Sequence, residues 1–209
     1  MSGTLLLIFE CVGTVSFAVS GAMTAIAKKM DIFGVIILGV ITAVGGGVMR
    51  DVILGIIPPR TFESPLYAGL GAATAIIVFL PQVRRWLTKK QQIYELAMLV
   101  MDALGLGVFT VVGIRTAMEV TDGFNVFLLL FVGLITGIGG GVLRDVLSSN
   151  TPYIFVKHFY ATASLIGAGL CVGLWQWAGE SVAMVAGAAV VVILRLLAAH
   201  FRWNLPRPQ

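Results

Sequence analysis

The sequence predicts an all-α membrane protein with seven transmembrane helices, arranged as two inverted three-helix repeats followed by a seventh helix. Three observations predict it. The 209-residue chain is 58% hydrophobic and only 11% charged, with a mean hydropathy of +0.99, whereas soluble domains carry roughly 25% charged residues. Seven apolar stretches approach the length of about 20 residues that a membrane helix needs. And one motif occurs twice, GGGVMRD at 45–51 and GGGVLRD at 139–145.

In chain order the segments are Thr4–Ala27, Ile32–Ile57, Ser64–Pro81, Ile93–Thr116, Phe124–Ser148, Ile154–Trp177 and Val182–Phe201. Breakers and charges fill the short connections: Lys28 to Asp31, Pro58-Pro59-Arg60, Arg84 to Lys90, Asp122-Gly123, Asn150 to Pro152, and the tail from Arg202. Met1 to Leu7 holds no Lys or Arg, which favours a retained helix over a cleaved signal peptide. Numbering the loops alternately puts Lys28, Lys29, Arg84, Arg85, Lys89, Lys90, Lys157, Arg202 and Arg207 on one side. The other holds little beyond Arg60 and Arg115, beside Glu63, Glu119, Asp122 and Glu180. Basic loops stay cytoplasmic, so the 84–90 loop and the C-terminus are expected inside and the N-terminus outside, in the cell (inner) membrane. The net charge of +4 therefore speaks of topology and not of nucleic acid, since no basic groove accompanies it.

Residues 38–53 align with 132–147 at an offset of 94, and 17–25 with 109–117 at an offset of 92. The second offset also matches Glu10 with Asp102, and Tyr67-Ala68 falls near Tyr160-Ala161. The units are thus 1–91 (with the basic loop), 92–178, and 179–209 for the unpaired seventh helix and tail. Three helices per unit is an odd number, so the second unit enters the membrane from the opposite side. Inverted repeats are common in transport proteins, with the site near the midplane.

Glycine costs roughly 1 kcal/mol relative to alanine inside a helix. The triplets Gly45, Gly46, Gly47 and Gly139, Gly140, Gly141 are therefore expected to break or kink the second and fifth helices along a path. The alternative is close helix packing by small residues. Arg50, Asp51, Arg144 and Asp145 must face the bundle interior, because a buried arginine costs roughly 2.5–3.5 kcal/mol on insertion scales. Neighbours in sequence point about 100° apart on a helix, so Arg50 and Asp51 are expected to seek other partners. Glu10 and Arg50 lie at matched depth, roughly 8 Å from the midplane at 1.5 Å per residue. Two buried pairs are expected, Glu10–Arg50 and Asp102–Arg144, either as clamps or as constrictions. Asp51 and Asp145 remain pore-facing candidates.

Thr42 and Thr136 precede the triplets at matching positions. Their hydroxyls suit a hydrated cation but equally bond back to their own helix. Ser16, Ser20, Thr24 and Ser164 are weaker versions of the same. Arg195 either snorkels to the inner interface or pairs within the bundle. Lys157 and His158 are expected at the interface, and Trp86, Trp175, Trp177 and Trp203 as interfacial anchors. The remaining glycines, Gly13, Gly21, Gly69, Gly71, Gly105, Gly113, Gly167 and Gly169, read as packing. Cys11 and Cys171 lie in apolar runs without a metal-spaced partner. No catalytic constellation, metal site, cofactor motif or phosphate loop is recognisable.

The paired GGGVMRD and GGGVLRD motifs, in two three-helix units plus a seventh helix, resemble the prokaryotic TRIC family of trimeric intracellular cation channels. That family includes bacterial proteins labelled as glycine-transporter-like. The resemblance implies a homotrimer in the lipid bilayer with one pore per protomer, lined by kinked second and fifth helices. It implies conduction of monovalent cations, chiefly potassium. The Lys-Glu-Val motif of animal members has no equivalent here, since Met118 stands where the lysine would be. Inverted repeats fit a secondary transporter of a small amino acid such as glycine equally well.

Overall fold

The structure, a computed structural model, describes residues 3–121, 123–156 and 159–203. Among them it is wholly helical: α1 (Gly3–Ala27), α2 (Ile32–Ile53), α3 (Arg60–Glu63), α4 (Leu66–Phe79), α5 (Pro81–Thr88), α6 (Gln91–Val120), α7 (Val126–Leu147), α8 (Tyr153–Val156), α9 (Tyr160–Ala178) and α10 (Glu180–His200). α1, α2 and α4 pack as one triple, α6, α7 and α9 as another. α1 meets α6 and α2 meets α7 between them, while α10 lies on α6 and α9.

The repeat reaches down to the caps. The Asp31 side chain accepts from Gly34 N at 2.8 Å and starts α2; Asn125 accepts from Leu128 N at 3.1 Å and starts α7. Such caps satisfy backbone donors that the first turn leaves orphaned. At the other ends, Leu54 N and Ile56 N bond to the carbonyls of Arg50 and Asp51, and Ser148 N and Asn150 N bond to those of Arg144 and Asp145. The residues between, Gly55 and Ser149, both take positive φ, the left-handed stop common after helices.

Six helices are long and apolar enough to span a membrane: α1, α2, α6, α7, α9 and α10. The expected third span is different. α4 has 14 residues, about 21 Å of helix, against a hydrocarbon core of about 30 Å. It continues into α5 only through a 75° bend, and the pair makes a seventh span if taken together. Pro81 explains the bend: it lacks an N–H and pushes Leu80 out of helical geometry. The expected sixth segment, Ile154–Trp177, is also divided, into α8 and α9. Lys157, His158, Asp122 and Arg207 lie outside the described residues.

Each triple has its own core. Ala22, Met23, Val35, Leu38, Ala75 and Val78 fill the first. Val111, Ile114, Leu129, Val132, Cys171 and Met184 fill the second, with α10 contributing. Outward-facing apolar residues repeat as well: Phe33 and Phe127 occupy equivalent positions and are 69% and 79% exposed, as lipid-facing side chains should be. Trp86, Trp177 and Trp203 are exposed near helix ends, whereas Trp175 packs on the second core.

Candidate functional site

The two repeats meet at a centre built from reciprocal contacts. A Cβ on Gly46 would overlap the Thr136 carbonyl oxygen, and a Cβ on Gly140 would overlap the Thr42 carbonyl oxygen. A Cβ on Gly13 would come within 3.0 Å of the Phe109 ring, and one on Gly105 would overlap the Phe17 ring. The two rings lie 5.4 Å apart between centroids. If residue i touches j, the equivalent of i touches the equivalent of j, which is two-fold symmetry. The partner numbers fall on one helix as they rise on the other, so α1 runs antiparallel to α6 and α2 to α7. The repeat is inverted.

The triplets therefore divide their labour. Helical structure runs through both without a break. Their central glycines bring two backbones into contact, a packing role. Gly45 and Gly139 also face the opposing helix, beside Leu143 and beside Met49 with Gly46. Gly47 is different. A Cβ there would meet only Arg50 Nη2, at 3.9 Å, and the position lines a cavity. Thr42 and Thr136 are fully buried and bond back to Leu38 O and Val132 O, each at 2.6 Å. They support their own helices.

The cavity has a volume of about 300 Å³ and is lined by Glu10, Thr14, Gly47, Arg50, Tyr67 and Phe109, among others. It opens at the end of the molecule carrying Arg60, Glu63 and Ser64, and ends inward at Phe109. The expected Glu10–Arg50 pair is absent. Glu10 instead accepts the Tyr67 hydroxyl. Arg50 turns to its own neighbour, with Nε 2.8 Å and Nη2 2.7 Å from Asp51 Oδ1. The expectation treated side chains as radial spokes, but arginine's arm is long enough to curl across the 100° step. Asp51 is fully buried, away from the cavity. Its second oxygen accepts from Arg60 N at 2.9 Å. It thus ties the end of α2 to the start of α3.

In the second repeat the symmetry-related charges are paired and buried. Arg144 Nη1 lies 2.7 Å from Asp102 Oδ1, and both side chains are fully buried. Arg144 also donates to Ser20 Oγ and, through Nε at 2.8 Å, to Asp145 Oδ1. Asp145 Oδ2 accepts from Tyr153 N at 2.9 Å, repeating the role of Asp51 at the start of α8. Tyr160 adds a hydroxyl 3.4 Å from Asp102. Arg195 brings Nη2 to 3.8 Å from Asp102 Oδ2 and stacks 4.7 Å over the Tyr160 ring. Arg195 therefore pairs within the bundle. Three buried atoms of this cluster, Asp102 Oδ2, Arg144 Nη2 and Arg195 Nε, have no hydrogen-bond partner among the described residues.

Two differences between the repeats account for the asymmetry. α10 covers only the second, supplying Arg195. And Ser20, which holds Arg144, has Val112 as its equivalent, an apolar residue on the wall of the cavity beside Arg50. Sequence reasoning gave no role to Phe17, Phe109, Tyr67 or Tyr160, and little to Ser20. The signal was there for four of them, as each occupies equivalent positions in the aligned repeats.

A family model described as glycine transporter matches residues 7–82 and again 99–176. The inner membrane protein YadS of Escherichia coli (strain K12) is 35% identical over 95% of this chain and 93% of its own length. The membrane protein YvgT of Bacillus subtilis (strain 168) is 33% identical over 95% and 94%. Among solved structures, the TRIC trimeric intracellular cation channel orthologue from Rhodobacter sphaeroides is 32% identical, with a TM-score of 0.86 over 96% of this chain and 100% of that one. A structure described as the basis for conductance through TRIC cation channels is 37% identical, with a TM-score of 0.85 over 97% and 96%. The chain belongs to this family of membrane proteins, the family described as glycine transporter and shared with the prokaryotic TRIC channels.

Proposed function

We propose that this protein is a monovalent-cation channel, chiefly for potassium, that works as a homotrimer with one conduction path inside each protomer. One observation carries the reading: an open, charge-lined cavity and a buried, charge-lined cluster occupy symmetry-equivalent places in the two inverted repeats, with the Phe17–Phe109 contact and the glycine triplets between them. Such an arrangement is a path across the membrane, hydrated on one side and shut on the other. The relatives solved as TRIC cation channels support it. The open end carries Arg60, Glu63 and Glu119 and the opposite end carries Lys29 and Arg84. The rule that basic loops stay inside then makes the cavity an outer vestibule and the Asp102–Arg144 cluster an inner seal. Gly47, with space around it, is the triplet residue that lines the path; Arg50 and Glu10 are its charged walls.

The test is a cysteine at Gly47 with Cys11 and Cys171 replaced by alanine. A cationic thiol reagent added from the outer side should reduce unitary potassium current. Modification that leaves the current unchanged would place the path elsewhere. A second reading, uptake of glycine, draws on the family description and on the presence of a carboxylate, Glu10, and a guanidinium, Arg50, on one cavity wall. These are the two charges a zwitterion needs. Saturable glycine uptake by proteoliposomes that pass no discrete current would favour it.

A further inference from the structure

Four charged side chains line the vestibule: Glu10, Arg50, Arg60 and Glu63. Counted alone they cancel. Their partners break the tie. Arg50 is held by Asp51, and Arg60 Nη1 lies 3.2 Å from Glu119 Oε2, an oxygen that Arg115 Nη1 also approaches at 3.4 Å while its Nε holds Glu180. Neither Asp51 nor Glu119 is on the lining. Each lining cation thus has a carboxylate behind it, buried for Arg50 and exposed for Arg60. The two lining carboxylates have no such counter-charge: Glu10 takes a neutral hydroxyl from Tyr67, and neither it nor Glu63 forms an ion pair with any described residue. The charge left facing the water is negative.

Glu10 is the deeper of the two, half-buried beside Thr14, while Glu63 is exposed at the mouth. A carboxylate in a narrow cleft with low-dielectric walls concentrates counter-ions more strongly than one on an open surface. Its equivalent in the closed repeat, Asp102, is locked by Arg144. Of these two equivalent carboxylates, the one that faces a cavity is Glu10. Resting on the channel reading above, we infer that Glu10 is the cation-selecting residue of the vestibule, and that Glu119, which never meets the ion, sets the strength of selection by neutralising Arg60.

The inference fixes signs for three variants of the full chain in planar bilayers. Glu10→Gln keeps an oxygen for Tyr67 but removes the charge. It should move the reversal potential in a KCl gradient toward that of chloride and lower unitary conductance about 2–5-fold at low salt. The loss should fade near molar salt, where the screening length falls to about 3 Å. Glu119→Gln, on an exposed side chain, should shift both quantities the same way by baring Arg60 and loosening Arg115. Arg60→Gln should shift them the opposite way. Wild-type current with an unchanged reversal potential in Glu10→Gln overturns the inference and leaves the channel reading intact, as do shifts of the same sign in Glu119→Gln and Arg60→Gln. Absence of wild-type current overturns the channel reading, and this inference with it.

Discussion

Arg144 and Asp102 should prove strongly coupled, and Arg50 and Glu10 not, although the sequence places the two sets at equivalent positions. Both members of the first pair are fully buried and 2.7 Å apart. Breaking a buried pair by removing one partner costs about 3–5 kcal/mol. The structure ranks the two deletions. Asp102→Ala leaves Arg144 with Asp145 and Ser20, and only Arg195 loses its carboxylate, so about 3 kcal/mol is expected. Arg144→Ala leaves Asp102 with Arg195 at 3.8 Å and Asp145 with a single backbone donor, so about 5 kcal/mol is expected. The double variant should recover roughly 2 kcal/mol relative to the sum, a coupling typical of residues in contact. For a chain of this size 1 kcal/mol corresponds to about 2–4 °C in Tm. Thermal melts of the purified protein in detergent read all four corners of the cycle. Glu10→Ala combined with Arg50→Ala is the control: those side chains share a cavity but form no ion pair with each other, so their coupling should be much smaller than that of Asp102 and Arg144. Additivity in the Asp102–Arg144 cycle, or strong coupling in the control, would show that the described asymmetry is wrong.

The triplets offer a second contrast. Gly46→Ala and Gly140→Ala drive a methyl group into an opposing carbonyl and should destabilise by about 1–3 kcal/mol, the range for overpacking. Gly47→Ala meets nothing closer than 3.9 Å and should leave the melt unchanged or raised by up to about 1 kcal/mol through helix propensity, while narrowing the vestibule and lowering unitary current. Equal melts for Gly46→Ala and Gly47→Ala would remove the distinction between packing and lining glycines. Topology gives a third expectation. Cysteines at Lys89 or Arg84 should react with a membrane-impermeant reagent only from the cytoplasmic side, and one at Glu63 only from outside; the reverse pattern would exchange the vestibule and the seal.

The sequence carried the architecture because the repeat is written in it. GGGVMRD and GGGVLRD, the matched Asp31 and Asn125 caps, and the paired Phe17 and Phe109 all follow from one alignment of the chain on itself. What the alignment hides is difference. Depth along a helix places Glu10 and Arg50 at one level, and both do line one cavity, but depth says nothing of azimuth, and each points to another partner. Symmetry likewise predicts two equal charge pairs. The inequality comes from residues that have no counterpart or a changed one: Arg195 on the unpaired α10, and Ser20 against Val112. The length of α4 was misjudged for a different reason. Hydropathy counts apolar residues, and the expected Ser64–Pro81 overran α4 by two residues at each end, where Pro65 and Leu80-Pro81 bound the helix. The Arg50–Asp51 and Arg144–Asp145 contacts were missed because a helical wheel describes where side chains leave the backbone, not where a long one arrives.

The most direct test of the central claim is current through the purified wild-type chain in a planar bilayer under a KCl gradient, with glycine absent. The account predicts discrete unitary steps whose reversal potential lies near that of potassium, since the vestibule wall left facing water is anionic. Steps that reverse near the chloride potential, or a silent bilayer from protein that takes up glycine in vesicles, would contradict it.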